Sequence, residues 1–315
     1  MLSLIAKRLA IAIPTLILVS LFVFTLQKLL PGDPALAMAG EERDPQVIAA
    51  IRERLRLDDP LIFQYGAWIG GVAMGDLGTS LRTGQPVLAL IASKLPVTLE
   101  LASLAIAIAL AIGVPAGIIS ATKRGSAMDV AASAVGLFGV SVPNFWLGIL
   151  LILIFAVKLR WLPASGYVPF SENPIENLRT VAMPVLVLSA APAATLMRQT
   201  RAAMIGVLRA DYVRTARAKG LLAPAIILKH AFRNALVPVI TLSTLLFGEL
   251  LGGAVLTEQV FTIPGFGKLL VDAVFNRDYA VVQGVVLCVA TGYILLNLLA
   301  DVLYFAIDPR VRAAA

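Results

Sequence analysis

After Lys7 and Arg8 the chain enters a run of about 22 mostly apolar residues, 9–30, and comparable runs recur to its end. A helix rises 1.5 Å per residue, so about 20 apolar residues cover the roughly 30 Å hydrocarbon core of a bilayer. Water is absent there, and every backbone amide must find its partner within the protein. That leaves α-helices and closed β-barrels as the spanning structures. The apolar runs here are continuous rather than alternating, so the chain is read as an all-α integral membrane protein. Composition agrees: 59% of the 315 residues are hydrophobic and 14% charged, with a mean hydropathy of +0.89, where a soluble domain carries about 25% charged residues.

Six transmembrane helices are expected, over 9–30, 96–120, 128–157, 181–197, 236–256 and 280–307. The first could be mistaken for a secretory signal, because 35–39 offer A-x-A-like cleavage sites. It is longer than a typical signal core, and Pro31-Gly32-Asp33-Pro34 intervenes, so it is read as a retained span. Pro143 predicts a kink in the third span, leaving one tilted rod. The whole chain, 1–315, is taken as one transmembrane domain. It comprises the first span, a polar loop over 31–95 with short helices at 46–57 and 64–69, and a five-span core over 96–310 that contains a cationic elbow over 201–235.

An even number of spans puts both termini on one side. Lys7, Arg8, Lys123, Arg124, the eight basic residues within 198–233, Arg310 and Arg312 then share that side. The positive-inside rule makes it the cytoplasm; the basic residues of the long 31–95 loop are exempt by loop length.

The same residues exclude several chemistries. Net charge is +7, but the cations sit between apolar spans with no interleaved aromatics, which argues against nucleic acid. One cysteine, Cys288, can close no internal disulfide, and one histidine, His230, cannot build a multi-histidine metal site. Gly267-Lys268 is followed by Leu269, so no phosphate-binding loop is present. Ser120–Lys123 matches S-x-x-K without its partner motifs. Within the spans the polar residues are few: Glu100, Asn144, Glu249, Asn297 and Asp301. A carboxylate in lipid is costly and faces a partner or water. Asn144 and Glu249 are the candidates for lining a translocation path; the alternative for Glu249 is a hydrogen bond between closely packed helices near Gly248, Gly252 and Gly253.

The most unusual stretch is 211–238, DYVRTARAKGLLAPAIILKHAFRNALVP, cationic and interrupted in the middle. Asp211 is expected as an N-cap, 212–219 as a short helix, Gly220 as its left-handed stop and Pro224 in the first turn of a second helix. The small residues Ala216, Ala218 and Gly220 would let another protein approach the backbone. Arg214, Arg217, Lys219, Lys229 and Arg233 would meet acidic groups on it.

Arg214-Thr215-Ala216 followed by Gly220 resembles the "EAA…G" loop of ABC importer permeases. His230–Thr241, HAFRNALVPVIT, resembles the dipeptide/oligopeptide/nickel branch more narrowly, as do PGDP at 31–34, LDDP at 57–60, GDLGTS at 75–80 and the 257–274 loop. Arg214 replaces the acidic residue that names the motif, and the general family's Leu-Pro falls on Phe232-Arg233; both departures resemble that branch.

The resemblance implies a type I importer-like permease subunit in a bacterial inner membrane. It would pair with a second homologous permease subunit, dock two ATPase subunits and receive solute from an extracytoplasmic substrate-binding protein. Tyr212, Arg214, Thr215, Ala216, Arg217, Lys219, Gly220 and Leu221 would form the ATPase-coupling surface, with ATP and Mg²⁺ in the partner chains and no cofactor or metal in this one. Peptides lead the implied cargoes, ahead of glutathione-like molecules, opines, oligosaccharides and nickel chelates. The competing class is a self-sufficient secondary transporter or channel, which would need coupling carboxylates near midplane and commonly an internal repeat.

Overall fold

The computed structural model describes residues 2–29, 35–36, 44–54 and 56–307. Residues 31–34 and 308–312, named above, lie outside the described residues. The named elements are all helices, in chain order α1 (Leu2–Leu29), α2 (Pro45–Arg54), α3 (Leu61–Ala73), α4 (Val87–Thr122), α5 (Ala127–Ser141) and α6 (Asn144–Leu151), which continues as a π-helical stretch (Ile152–Lys158). Then come α7 (Pro174–Leu208), α8 (Asp211–Ala218), a turn at Ala223–Ala225, a second π-helical stretch (Ile226–Phe232), α9 (Arg233–Gly253), α10 (Val255–Val260), α11 (Phe266–Phe275) and α12 (Tyr279–Ile307).

Five helices are long and apolar enough to cross a membrane, and a sixth crossing requires counting α5 and α6 together. The break falls at Pro143 as expected, but its angle is 100°, so the third span is two arms rather than one tilted rod. Val142 and Pro143 are both extended (φ −83°, ψ 124° and φ −62°, ψ 133°). The proline ring disfavours a helical residue before it, which sets the first of those conformations.

The chain divides into two units, Thr98–Ile263 with Leu295–Ala315, and Leu2–Val97 with Pro264–Ile294. In the first, α7 is the central helix. Asn173 caps it, accepting from the Glu176 amide at 3.1 Å, and Pro174 occupies its first turn. About two thirds (67%) of its apolar window is buried, against 28% or less for the other long helices. Close approach comes from glycines on its neighbours. A Cβ on Gly113 of α4 would lie 2.4 Å from the Ala193 carbonyl oxygen, and one on Gly117 2.6 Å from that of Met197. Spaced four apart, these two glycines share one face of α4 and admit the α7 backbone. On α5, Gly136 and Gly139 face Met197 and Ala190 in the same way. The expected glycine packing around Glu249 is a different matter: a Cβ on Gly252 would meet nothing within 4 Å.

Two carboxylates of this unit are held by hydroxyl donors, whereas Thr200 Oγ1, Thr257 Oγ1 and Asn177 Oδ1 are buried without a hydrogen-bond partner among the described residues. Glu258 of α10 is fully buried and accepts a 2.5 Å hydrogen bond from Thr98 Oγ1. The Tyr167 hydroxyl donates to Glu100 at 2.6 Å. Burial, and then the hydrogen bond to that carboxylate, push the Tyr167 phenol above its ordinary pKa.

The second unit packs α1 on α3 through Phe24, Tyr65 and Trp68, whose ring centroids are 5.5–6.0 Å apart. Gln64 Nε2 donates to the carbonyls of Leu57 and Asp59, closing the turn ahead of α3. The glycines of 75–84 supply positive φ for a tight loop. Asp278 anchors that loop, accepting from the Ser80 hydroxyl and from the Leu81 amide at 3.1 Å. Val87, Ile91, Phe266, Ala273, Val281 and Val285 form the apolar core beneath.

Candidate functional site

The interrupted cationic stretch folds into an elbow. Ala210 is the N-cap of α8, and Asp211 is the first helical residue rather than the cap the sequence suggested. Its carboxylate still favours the positive helix end and pairs with Arg214 at 3.3 Å. The C-terminus follows a Schellman pattern. Gly220 takes φ +73°, its amide donates to the Arg217 carbonyl at 2.9 Å, and the Leu221 amide reaches back to Ala216 at 3.3 Å. A residue with a Cβ is disfavoured at that φ. Pro224 then opens the next helical turn, and the chain runs through Ile226–Phe232 into α9.

One side of the elbow is committed inward. Val213 and Ala216, three apart on α8, pack with Ile226 against Val207 and Leu208. Ala216 is 7% exposed, so it holds the elbow to its own chain and is not one of the open small positions. An arginine there would disrupt this packing. Ala218 and Gly220 are exposed, as are Tyr212, Arg214, Thr215, Arg217, Lys219 and Leu221. Leu222 joins them at 77% exposed, a position the motif did not single out. The Tyr212 hydroxyl accepts from Asn234 Nδ2 at 2.9 Å, and that amide also donates to the His230 carbonyl. Arg217 and Leu221 line a cavity of about 310 Å³ with Thr122 of α4 and Ile226. The outer face therefore presents cations, two leucines and an open glycine backbone, a combination suited to an acidic-rimmed protein groove.

The other two named residues stand apart from the elbow. Asn144 begins α6 just after the Pro143 break and is half-buried, whereas Glu249 lies exposed on α9. They sit on different helices, each packed on α7. Among the described residues no three His, Cys, Asp or Glu side chains converge as metal ligands would.

Sequence reasoning missed one cluster beside the elbow. Asp129 of α5 takes Arg201 Nε at 2.8 Å and Nη2 at 2.9 Å, the Ser120 hydroxyl, and the Gly125 amide at 2.9 Å. Ser126 caps α5 by accepting from the Asp129 amide. The Ser126-x-x-Asp129 spacing was the available signal, since it resembles a capping box.

Comparison with known proteins gives this geometry its context. Residues 113–313 match the model of the "Binding-protein-dependent transport system inner membrane component" family, and residues 1–102 match the N-terminal model that accompanies it. The chain belongs to that family. The permease is 45% identical over 312 residues, 99% of each chain, to a putative peptide transport system permease protein of Brucella abortus. It is 45% identical to a di/tripeptide transport system permease protein of Pseudomonas aeruginosa, again over 99% of each chain. A glutathione transport system permease protein of Escherichia coli shows 45% identity over 312 residues and 99% of each chain. Among solved structures, a chain of the MetNI methionine ABC transporter shares its fold at TM-score 0.58 and 18% identity, covering 70% of this chain and 97% of that one. The permease is accordingly an inner-membrane transport subunit of an ABC importer, and the self-sufficient transporter gives way to it.

Proposed function

We propose that this permease moves di- or oligopeptides into the cytoplasm, with the elbow as the part that ATPase subunits push and pull. The cargo reading is carried by one observation: permeases named for peptide, di/tripeptide and glutathione transport match it at 45% identity across essentially the whole chain. The coupling reading is supported by the exposed outer face of Tyr212–Leu222, fixed through Val213 and Ala216 to the foot of α7. Movement of α8 would pass to α7 and, through the π-helical stretch, to α9. ATP and Mg²⁺ would belong to two partner ATPases, and a second, homologous permease subunit would complete the pore. In this reading the termini and elbow face the cytoplasm, and Asn144 and Glu249 line the path.

The decisive experiment is affinity purification of the permease from its native membrane in mild detergent, followed by mass spectrometry and by uptake of labelled dipeptides in cells with and without it. A second permease, ATPases and a permease-dependent dipeptide uptake are expected. A stable homo-oligomer without ATPases would overturn the coupling and heterodimer readings; intact complexes with unchanged peptide uptake would overturn the cargo. Orientation is read separately, since a Lys219→Cys variant should react with impermeant maleimide only in inside-out vesicles.

A further inference from the structure

An apolar cavity of about 230 Å³ opens between the first and last long helices of the second unit. Val23 and Leu26 of α1 line one side, and Val282 and Val286 of α12 line the other, with Tyr279 and Arg277 at one end. An apolar cavity of about 150 Å³ stays dry and takes up a benzene-sized molecule, so a larger one accommodates a length of hydrocarbon chain.

Its place in the membrane identifies what that chain is. The last long helix, α12, begins at Tyr279, and so does its apolar span. With α12 read as a spanning helix, the end of the cavity at Arg277 and Tyr279 falls where that span begins. From Tyr279 to Val286 it follows α12 for about 10 Å toward the hydrocarbon core. Val282 and Val286 lie four apart, hence on one helix face, and both are half-buried. The medium around such a cavity is lipid.

The end at the boundary carries a charge. Arg277 is exposed and has a positive φ of 56°, uncommon for a residue with a side chain. The amides of Arg277 and Asp278 hold this turn by donating to Val274 and Ala273. The neighbouring carboxylates are engaged elsewhere: Asp278 with Ser80 and Leu81, and Asp272 with Lys268 at 3.5 Å. Arg277 forms no ion pair among the described residues. A guanidinium at the headgroup level above an apolar slot suits a phosphate with an acyl chain attached.

We infer that this cavity is a site for one anionic phospholipid, its acyl chain lying between α1 and α12 and its phosphate paired with Arg277. The site depends on these helices spanning the membrane and not on which solute the permease carries. A lipid here fills the seam between the first and last spans, so its loss should loosen α1 from the rest of its unit.

The test uses the purified complex, delipidated in detergent, offered phosphatidylglycerol or phosphatidylethanolamine and weighed by native mass spectrometry. The wild type should retain one phosphatidylglycerol per permease. Val282→Trp, which fills the slot, should cut retention at least tenfold, and Val286→Phe serves the same purpose if the tryptophan variant does not assemble. Arg277→Gln should keep lipid but lose most of the preference for phosphatidylglycerol. Equal retention in wild type and slot-filled variants would overturn the site by showing only a generic lipid annulus. A photo-crosslinker at Val282 should capture lipid; capture of the second permease subunit would equally overturn it and make the slot a protein interface.

Discussion

Two Arg–Asp pairs in the same unit serve opposite purposes. Asp129 and Arg201 meet through two nitrogens at 2.8 and 2.9 Å, and the Asp129 side chain is 7% exposed. Asp211 and Arg214 meet once at 3.3 Å, with side chains 95% and 76% exposed. The first pair is bidentate, further tied to Ser120 and Gly125, and locks α5 to the foot of α7. The second is a loose surface pair of a kind that contributes little, which leaves Arg214 available to a partner. The lesson is that a cation's role depends on how completely its partner is committed. Arg201 belongs to the scaffold, whereas Arg214 stands exposed on the face proposed for docking, although sequence alone counts them together.

The largest effect on assembly and stability should follow from breaking the committed pair. Asp129→Ala leaves the Arg201 guanidinium and the Ser120 hydroxyl without their acceptor inside the helix bundle, where stranding a charge is far more damaging than losing a surface pair. Assembled complex should fall severalfold and its Tm by about 5 °C or more, measured by fluorescence-detected chromatography across a temperature ramp. Unchanged Tm would place Asp129 with the decorative pairs and erase the contrast.

Next comes the elbow's hinge. Proline cannot adopt the φ of +73° at Gly220 and removes the amide that donates to Arg217. Gly220→Pro should leave insertion and α7 packing intact while transport and transport-coupled ATPase stimulation fall at least tenfold. Ala218→Arg, on the exposed side, should act in the same direction. Ala216→Arg is the weaker probe, because that side chain would first disturb the contact with Val213 and Ile226. Normal transport by Gly220→Pro would remove the elbow from the coupling path.

Charge reversal at Arg214 and Arg217 together should weaken ATPase association by about tenfold, with the deficit shrinking as salt is raised. Binding of purified ATPase to the permease in nanodiscs at two ionic strengths reads this directly. A salt-independent loss would mean the two arginines act through shape.

Much of this was legible in the sequence for a physical reason. Runs near 20 apolar residues leave few alternatives in a bilayer, and Gly220 and Pro224 punctuate the elbow with the least and the most restricted backbones available. What stayed hidden depended on contacts distant in the chain. Thr98 with Glu258, and Ser80 with Asp278, join segments more than 150 residues apart, and no local pattern announces either. Ala216 was misread because smallness permits both close docking by a partner and close packing within the chain. Its neighbour three residues back, Val213, was the clue that the face turns inward. Pro143 marked the break in the third span, but a proline fixes the place of a bend and not its angle.

The smallest effect is the sharpest test of the comparison. Asp211→Asn removes the carboxylate charge from an Arg–Asp pair, as Asp129→Asn does from the other. At position 211 both side chains stand in solvent, the helix needs no cap from that residue because Ala210 occupies the cap position, and Arg214 gains freedom. Tm should not move measurably, and ATPase association should stay within about twofold or strengthen slightly, since one competing anion has gone. Asp129→Asn in parallel should lower Tm, because an amide cannot satisfy a bidentate guanidinium. If Asp211→Asn weakened ATPase binding as strongly as reversal of the two arginines, the carboxylate itself would be a docking group. The outer face of α8 would then be read as zwitterionic, matched to a partner surface of mixed rather than acidic charge.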